Sequence, residues 1–266
     1  MKYYQKDAIL DIIYPAHCPV CGQILFAPKH RLSLALPSRI HLPPIQGLIC
    51  KPCFYRLPFV LDQFCIICGR PLENPLADRC DDCRRYPHAF SESRAVFSYK
   101  GSVQQALFQL KYRGRKEYAR FFAAAMSYYL ASWIYSRGIT AIVPIPLHKS
   151  RLKVRGYNQA AEIAVRLGEH IKIPIYQDLL IRKKATTAQK DLNRTQRMEN
   201  LSHAFCINPK YLGQADDGNC FPSLTHEHIL LLDDIYTTGS TVDAAATVLT
   251  NAGCPSVFAA TVAVTG

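Results

Sequence analysis

No apolar run in the 266 residues approaches the ~20 that a membrane span requires, so stable membrane insertion is not expected. A signal-peptide core is missing as well. Asp7 and Asp11 interrupt the apolar residues Ala8-Ile9-Leu10 and Ile12-Ile13, and no small-residue cleavage site follows, so the expected location is cytoplasmic. The chain also lacks the composition of a disordered protein, with 49% hydrophobic residues and 11% aromatics. Its length suits one full α/β domain plus a smaller module.

Acidic residues are scarce in the middle of the chain. Residues 91–200 hold 20 Lys/Arg and 7 Asp/Glu, whereas residues 1–90 hold 11 and 7, and residues 201–266 hold 1 and 6. The formal charge of +12 is therefore concentrated in the central part, where it would attract pyrophosphate, nucleotides or nucleic acid.

Cysteine is plentiful, but its placement argues against disulfides. Eight of eleven cysteines form four C-x-x-C pairs: Cys18/Cys21, Cys50/Cys53, Cys65/Cys68 and Cys80/Cys83. In a cytosolic chain that spacing points to metal. Cys18-Pro19-Val20-Cys21-Gly22 and Cys65-Ile66-Ile67-Cys68-Gly69 repeat one pattern, each followed by a pair without the glycine. Two structural Zn²⁺ sites with four thiolates each are expected, closed to substrate. The second unit has 11 residues between its pairs and the first has 28, so sequential pairing and an interleaved cross-brace both stay open. Cys206, Cys220 and Cys254 fall outside the pattern and read as packed or surface residues.

The most informative stretch is His228-Ile229-Leu230-Leu231-Leu232-Asp233-Asp234-Ile235-Tyr236-Thr237-Thr238-Gly239-Ser240-Thr241. Its apolar run predicts a strand buried on both faces of a parallel sheet, and Val242 to Leu249 carries a helical pattern. The loop between them, starting at Asp233, would lie where open α/β sheets bind ligands. Helix-terminal N–H groups favour an anion and Gly239 permits close approach, while two carboxylates suit a diol or a metal. A ligand with both a phosphate and a sugar diol satisfies the whole stretch.

Elsewhere the pattern predicts a helix over 1–16, stopped at Tyr14-Pro15. A basic linker over 84–92, which includes His88, leads to a strand at 93–99. Ser102 is the expected cap of a helix through Leu110, interrupted by Lys111-Tyr112-Arg113-Gly114-Arg115-Lys116. A helix over about 117–135 and a strand at 139–143 follow. Pro144 and Pro146 then set a sharp exit into a basic turn with Lys149, Arg151, Lys153 and Arg155. A helix begins at Asn158, with Ala160, Ala161, Ile163, Ala164 and Leu167 inward. Residues 182–200 form a basic loop containing Lys190, Arg194 and Arg197, of a length usually functional or disordered. A last strand covers 257–264.

The stretch at 228–241 resembles the phosphoribosyl pyrophosphate (PRPP) signature of type I phosphoribosyltransferases, with Tyr236 where an aliphatic residue is commoner. The resemblance implies that Asp233 and Asp234 hold the ribose and serve catalysis, and that Thr237, Thr238, Gly239, Ser240 and Thr241 hold the 5′-phosphate. It further implies that Lys149, Arg151 and Arg155, with Lys190 and Arg194 from a closing loop, reach the pyrophosphate, and that Mg²⁺ accompanies PRPP.

The order of motifs goes further. Paired cysteine knuckles precede Tyr99-Lys100-Gly101 and Leu110-Lys111-Tyr112-Arg113-Gly114. Val143-Pro144-Ile145-Pro146-Leu147-His148, then Arg155-Gly156-Tyr157-Asn158-Gln159, precede the PRPP signature. This order resembles the ComF (ComFC) competence family along nearly the whole chain. The resemblance implies a type I phosphoribosyltransferase-like parallel sheet flanked by helices over residues 91–266, behind an N-terminal helix and double zinc ribbon over residues 1–90. It also implies a role in handling internalised single-stranded DNA during natural transformation, alongside other competence proteins. Tyr112, Tyr157 and Arg155 suit capture of single strands with some stacking. An active PRPP-dependent transferase of nucleotide metabolism and a PRPP-sensing regulator are the alternative readings. No general base for an acceptor stands out in the sequence.

Overall fold

A computed structural model describes residues 15–25, 45, 47–60, 62–183, 204–211 and 224–266. The expected helix over 1–16 falls almost wholly outside these residues. The two cysteine units come first, with short helices α1 (Lys51–Phe54) and α2 (Asp81–Arg85) directly after Cys50 and Cys80. Then follow β1 (Ser93–Ser98), α3 (Gly101–Tyr112), α4 (Ala119–Ser136), β2 (Ala141–Pro144), α5 (Lys149–Arg155) and α6 (Gln159–Ile171). The described chain continues through β3 (Leu180–Arg182), β4 (Phe205–Ile207), β5 (His228–Tyr236), α7 (Ser240–Asn251) and β6 (Ser256–Val264).

Among the described residues the main sheet has four strands in the order β1-β6-β5-β2, all parallel, with helices on both faces. This is the α/β architecture expected of the apolar runs, because a strand covered on both sides must be apolar at every position. Two buried clusters divide at the sheet. Leu230, Leu232, Phe258 and Ala260 pack with α3, α4 and α6, and with Cys18 and Cys53 of the first cysteine unit. Ile229, Leu231, Val257 and Ala259 pack with α7, and with Cys65, Cys68 and Cys83 of the second. The strand period of two sends successive side chains to opposite faces, so the two units contribute to different sides of one sheet.

Several elements differ from expectation. β5 does not stop at Leu232. Its register with β6 continues through Asp233–Thr261 to Tyr236–Val264, so the paired carboxylates lie on the strand rather than in the loop. The helix α3 starts at Gly101 and has no side-chain cap; Ser102 lies within it, and it runs on through Lys111 to Tyr112. The basic turn after β2 is the helix α5, capped by His148, whose Nδ1 accepts from the Ser150 amide at 3.2 Å. Ala161 is only half-buried on α6. The supposed linker begins inside α2, which ends at Arg85, and its His88 side chain is 2% exposed. The antiparallel pair β3–β4, not anticipated, forms because residues 180–182 and 205–207 meet from either side of the basic segment.

Candidate functional site

The carboxyl end of β5 is held from several directions. Asp234 is buried, and its Oδ2 receives Lys111 Nζ at 2.8 Å from the last turn of α3 and Gln159 Nε2 at 2.8 Å from the start of α6. Arg155, at the end of α5, donates to Gln159 Oε1. Asn158 caps α6 through its Oδ1, which accepts from the Ala160 amide at 3.1 Å, and its Nδ2 donates to the Ile145 carbonyl at 2.9 Å. The segment Ile145–Gln159 is thereby tied to Asp234, the next strand over.

Asp233 is half-buried and orients its neighbour, since its Oδ1 accepts from the Asp234 amide at 2.8 Å. Burial, then the adjacent Asp234, push the Asp233 carboxyl up to about 8, against the pull of Lys111. Two carboxylates this close disfavour each other's ionisation, and a bound cation or a hydroxyl-rich ligand would relieve that. Arg182 on β3 also feels this site. Burial first and Arg151 second lower its pKa, while Asp233 opposes them.

After Tyr236 the chain turns through Thr237 and Thr238 into Gly239, which has φ 79°. A Cβ at Gly239 would also run into the Tyr236 hydroxyl, so both backbone and packing require glycine. Thr238 Oγ1 lies 2.9 Å from Ser240 Oγ at the first position of α7. The twelve-residue α7 thus presents its unpaired N-terminal amides beside a hydroxyl-lined loop, a setting that favours a phosphate.

Of the expected pyrophosphate contacts, Lys149 and Arg151 are exposed on α5, while Arg155 supports Gln159 and lies 5.2 Å over the Tyr112 ring. Lys190, Arg194 and Arg197 lie outside the described residues. Tyr157 is corrected as a stacking residue: it is buried, and its hydroxyl donates to the Leu110 carbonyl. Tyr112 is 64% exposed and packs on Phe108 with ring centroids 5.1 Å apart. Lys111 and Gln159 stood inside the quoted motifs without a role, because only the fold brings them to Asp234.

The eight paired cysteines form two groups. Cys18, Cys21, Cys50 and Cys53 make one, and Cys65, Cys68, Cys80 and Cys83 the other, with all ligand atoms within 4.8 Å of one another in each. Sequential pairing is therefore the arrangement, not a cross-brace. Cys21 Sγ and Cys50 Sγ are 3.7 Å apart, and Cys68 Sγ and Cys80 Sγ 3.6 Å. A tetrahedral metal with bonds of ~2.3 Å to sulfur needs roughly 3.8 Å between sulfurs, so both groups could hold a zinc ion. Their electrostatics ask for a cation. Hydrogen bonds from Cys68 and Cys83 lower Cys65 strongly, whereas the hydrogen bond with Cys65 first and burial later push Cys68 up to about 12. The other cysteines fit as expected where described: Cys254 is buried and its thiol donates to the Glu227 carbonyl at 3.0 Å, and Cys206 is half-exposed on β4. Cys220 lies outside the described residues.

The fold and site define a parallel α/β protein with a phosphate-type strand–loop–helix and two four-cysteine groups. No protein-family model matches the chain. Known relatives do. The competence protein ComFC of Bacillus subtilis is 29% identical over 214 residues, covering 77% of this chain and 79% of its own. The competence protein ComFC of Streptococcus pneumoniae is 26% identical over 242 residues, covering 90% and 96%. The DNA utilization protein YhgH of Escherichia coli is 27% identical over 215 residues, covering 79% and 87%. These similarities support the resemblance to the ComF/ComFC family that the order of the motifs implied.

Proposed function

We propose that this protein is a ComF-type competence protein that binds PRPP with Mg²⁺ at the β5–α7 loop and takes part in handling internalised single-stranded DNA. The observation that carries the ligand assignment is the run from two strand-borne carboxylates into the loop at Gly239, directly before the α7 N-terminus. Asp233 and Asp234 would orient the ribose hydroxyls. The amides and hydroxyls of 237–241 would take the 5′-phosphate, and Lys149 and Arg151 the pyrophosphate, with Lys190 and Arg194 completing it. Mg²⁺ would offset the repulsion between the carboxylates and the pyrophosphate.

The DNA role is supported by the names of the relatives, competence proteins and DNA utilization proteins. It also draws on the basic central part, where exposed Tyr112 and Phe108 adjoin Arg155. Residues 1–90 would act as a zinc-bound module and 91–266 as the ligand-binding domain. The test is a thermal shift. At a hundredfold excess over Kd, PRPP with Mg²⁺ should stabilise the protein by about 2.7 kcal/mol. Asp233→Ala/Asp234→Ala should abolish that gain, and no gain in the unaltered protein would overturn the assignment.

A further inference from the structure

The second four-cysteine group reaches the phosphate-type loop by two routes. Arg70, two residues beyond Cys68, donates from Nη2 to the Thr237 carbonyl at 3.1 Å, and its Nη1 is held by Asp82 at 2.9 Å. The Arg70 carbonyl in turn accepts from the Cys65 amide at 2.7 Å, so its backbone belongs to the knuckle. Gly69 makes this docking possible, since a Cβ there would lie 2.8 Å from the Ser93 carbonyl of β1. The second route is a side-chain relay. His88 Nε2 lies 3.3 Å from Cys83 Sγ, and His88 Nδ1 donates to Asp243 Oδ2 at 2.8 Å. The Ala89 amide donates to Asp243 Oδ1 at 3.0 Å. Asp243 is in the first turn of α7, and its own amide donates to the Gly239 carbonyl at 2.8 Å.

These contacts are not needed merely to close a metal site, because Arg70 and His88 are not among the four ligands. They span 167 residues from Arg70 to Thr237 and 155 from His88 to Asp243. The first group lies with the opposite face of the sheet, among α3, α4 and α6. Only the second group is joined to the loop by these contacts.

We propose that the second four-cysteine group, through Arg70 and the positioning residue His88, sets the geometry of the 237–243 loop, so that metal held there and phosphate bound at the loop stabilise each other. This deepens the ligand reading above and rests on it. Outer hydrogen-bond partners of metal ligands orient those ligands, and here the same partners continue into a binding loop. Coupling between two sites is reciprocal, so it can be read from either end. His88→Ala removes the relay without removing a thiolate. His88→Asn keeps a donor toward Asp243 but loses the reach to Cys83.

The experiment uses the full chain loaded with zinc. First, amide exchange at 237–243 is followed without any phosphate ligand. Protection there should fall about tenfold in His88→Ala and in His88→Asn alike, since both lose Cys83, with β1 and β6 unchanged and zinc still at two per chain. Second, alkylation of each cysteine under limiting chelator is followed by mass spectrometry, with and without PRPP and Mg²⁺. Ligand should slow modification of the second group about tenfold and leave the first unchanged, and His88→Ala and His88→Asn should both erase that difference. Unchanged loop exchange in His88→Ala, its rescue in His88→Asn, or equal ligand effects on both groups would overturn the linkage. If PRPP does not bind the unaltered protein, the ligand reading fails, and loop exchange alone still decides whether the cysteine group positions the loop.

Discussion

Lys111→Met is the sharpest perturbation of the site. In the folded protein the ammonium is 16% exposed and the Asp234 carboxylate 7%, and they meet at 2.8 Å. Breaking a buried pair by removing one partner costs about 3 kcal/mol or more, because the remaining charge stays buried. With an unfolding entropy of about 2.1 cal/mol/K per residue, 266 residues turn 3 kcal/mol into a fall in Tm of about 5 °C. The pH dependence has a definite sign. The Asp233 carboxyl is pushed up to about 8, above its unfolded value, by burial first and by Asp234 second. Its contribution to stability is thus fully present below the unfolded pKa of about 3.9 and is lost as pH rises through the folded value near 8. Lys111 opposes that rise, so its removal moves the upper end of the window higher still. The deficit of Lys111→Met should therefore be greatest above about pH 8 and shrink toward about pH 5. Ligand-free urea unfolding at several pH values measures it, and the double variant Lys111→Met/Asp234→Asn should recover most of the loss. A deficit under about 0.5 kcal/mol at high pH, or no recovery in the double variant, would refute the reasoning.

Gly239→Ala should lose PRPP binding and cost about 1–3 kcal/mol, because its φ of 79° suits glycine and Tyr236 fills the space; calorimetry of binding and unfolding tests both. Metal analysis should find two zinc ions per chain, and stripping them under reducing conditions should open the second group's face of the sheet, read as faster exchange at Ala259 and Leu231. Tyr157→Phe should cost about 1 kcal/mol through the unpaired Leu110 carbonyl yet leave single-stranded DNA binding unchanged. Tyr112→Ala should weaken DNA binding by about 1–3 kcal/mol with little change in stability, as seen by fluorescence anisotropy.

Much of the architecture was legible in the chain. The apolar run 229–232, the alternation at 93–98 and the helical face of Ala160, Ile163, Ala164 and Leu167 are local patterns, and each became the expected element. The boundaries were less legible. The strand β5 extends through Asp233 and Asp234 because β6 offers it partners to Val264, a fact of pairing rather than composition. Likewise α3 continues through Lys111 to Tyr112, which brings the Lys111 ammonium to Asp234.

By itself the sequence determined which side chains could do chemistry: eight thiolates at ligand spacing, and two carboxylates followed by hydroxyls and one glycine before a helix. Those are relations over a few residues, set by backbone geometry and periodicity. The tertiary structure decided which of them work together. It paired the cysteine units sequentially, assigned them to opposite faces of the sheet, brought Lys111 and Gln159 to Asp234, and carried His88 to Asp243. The physical reason is that those contacts join residues far apart in the chain, and only the order β1-β6-β5-β2 brings their elements side by side.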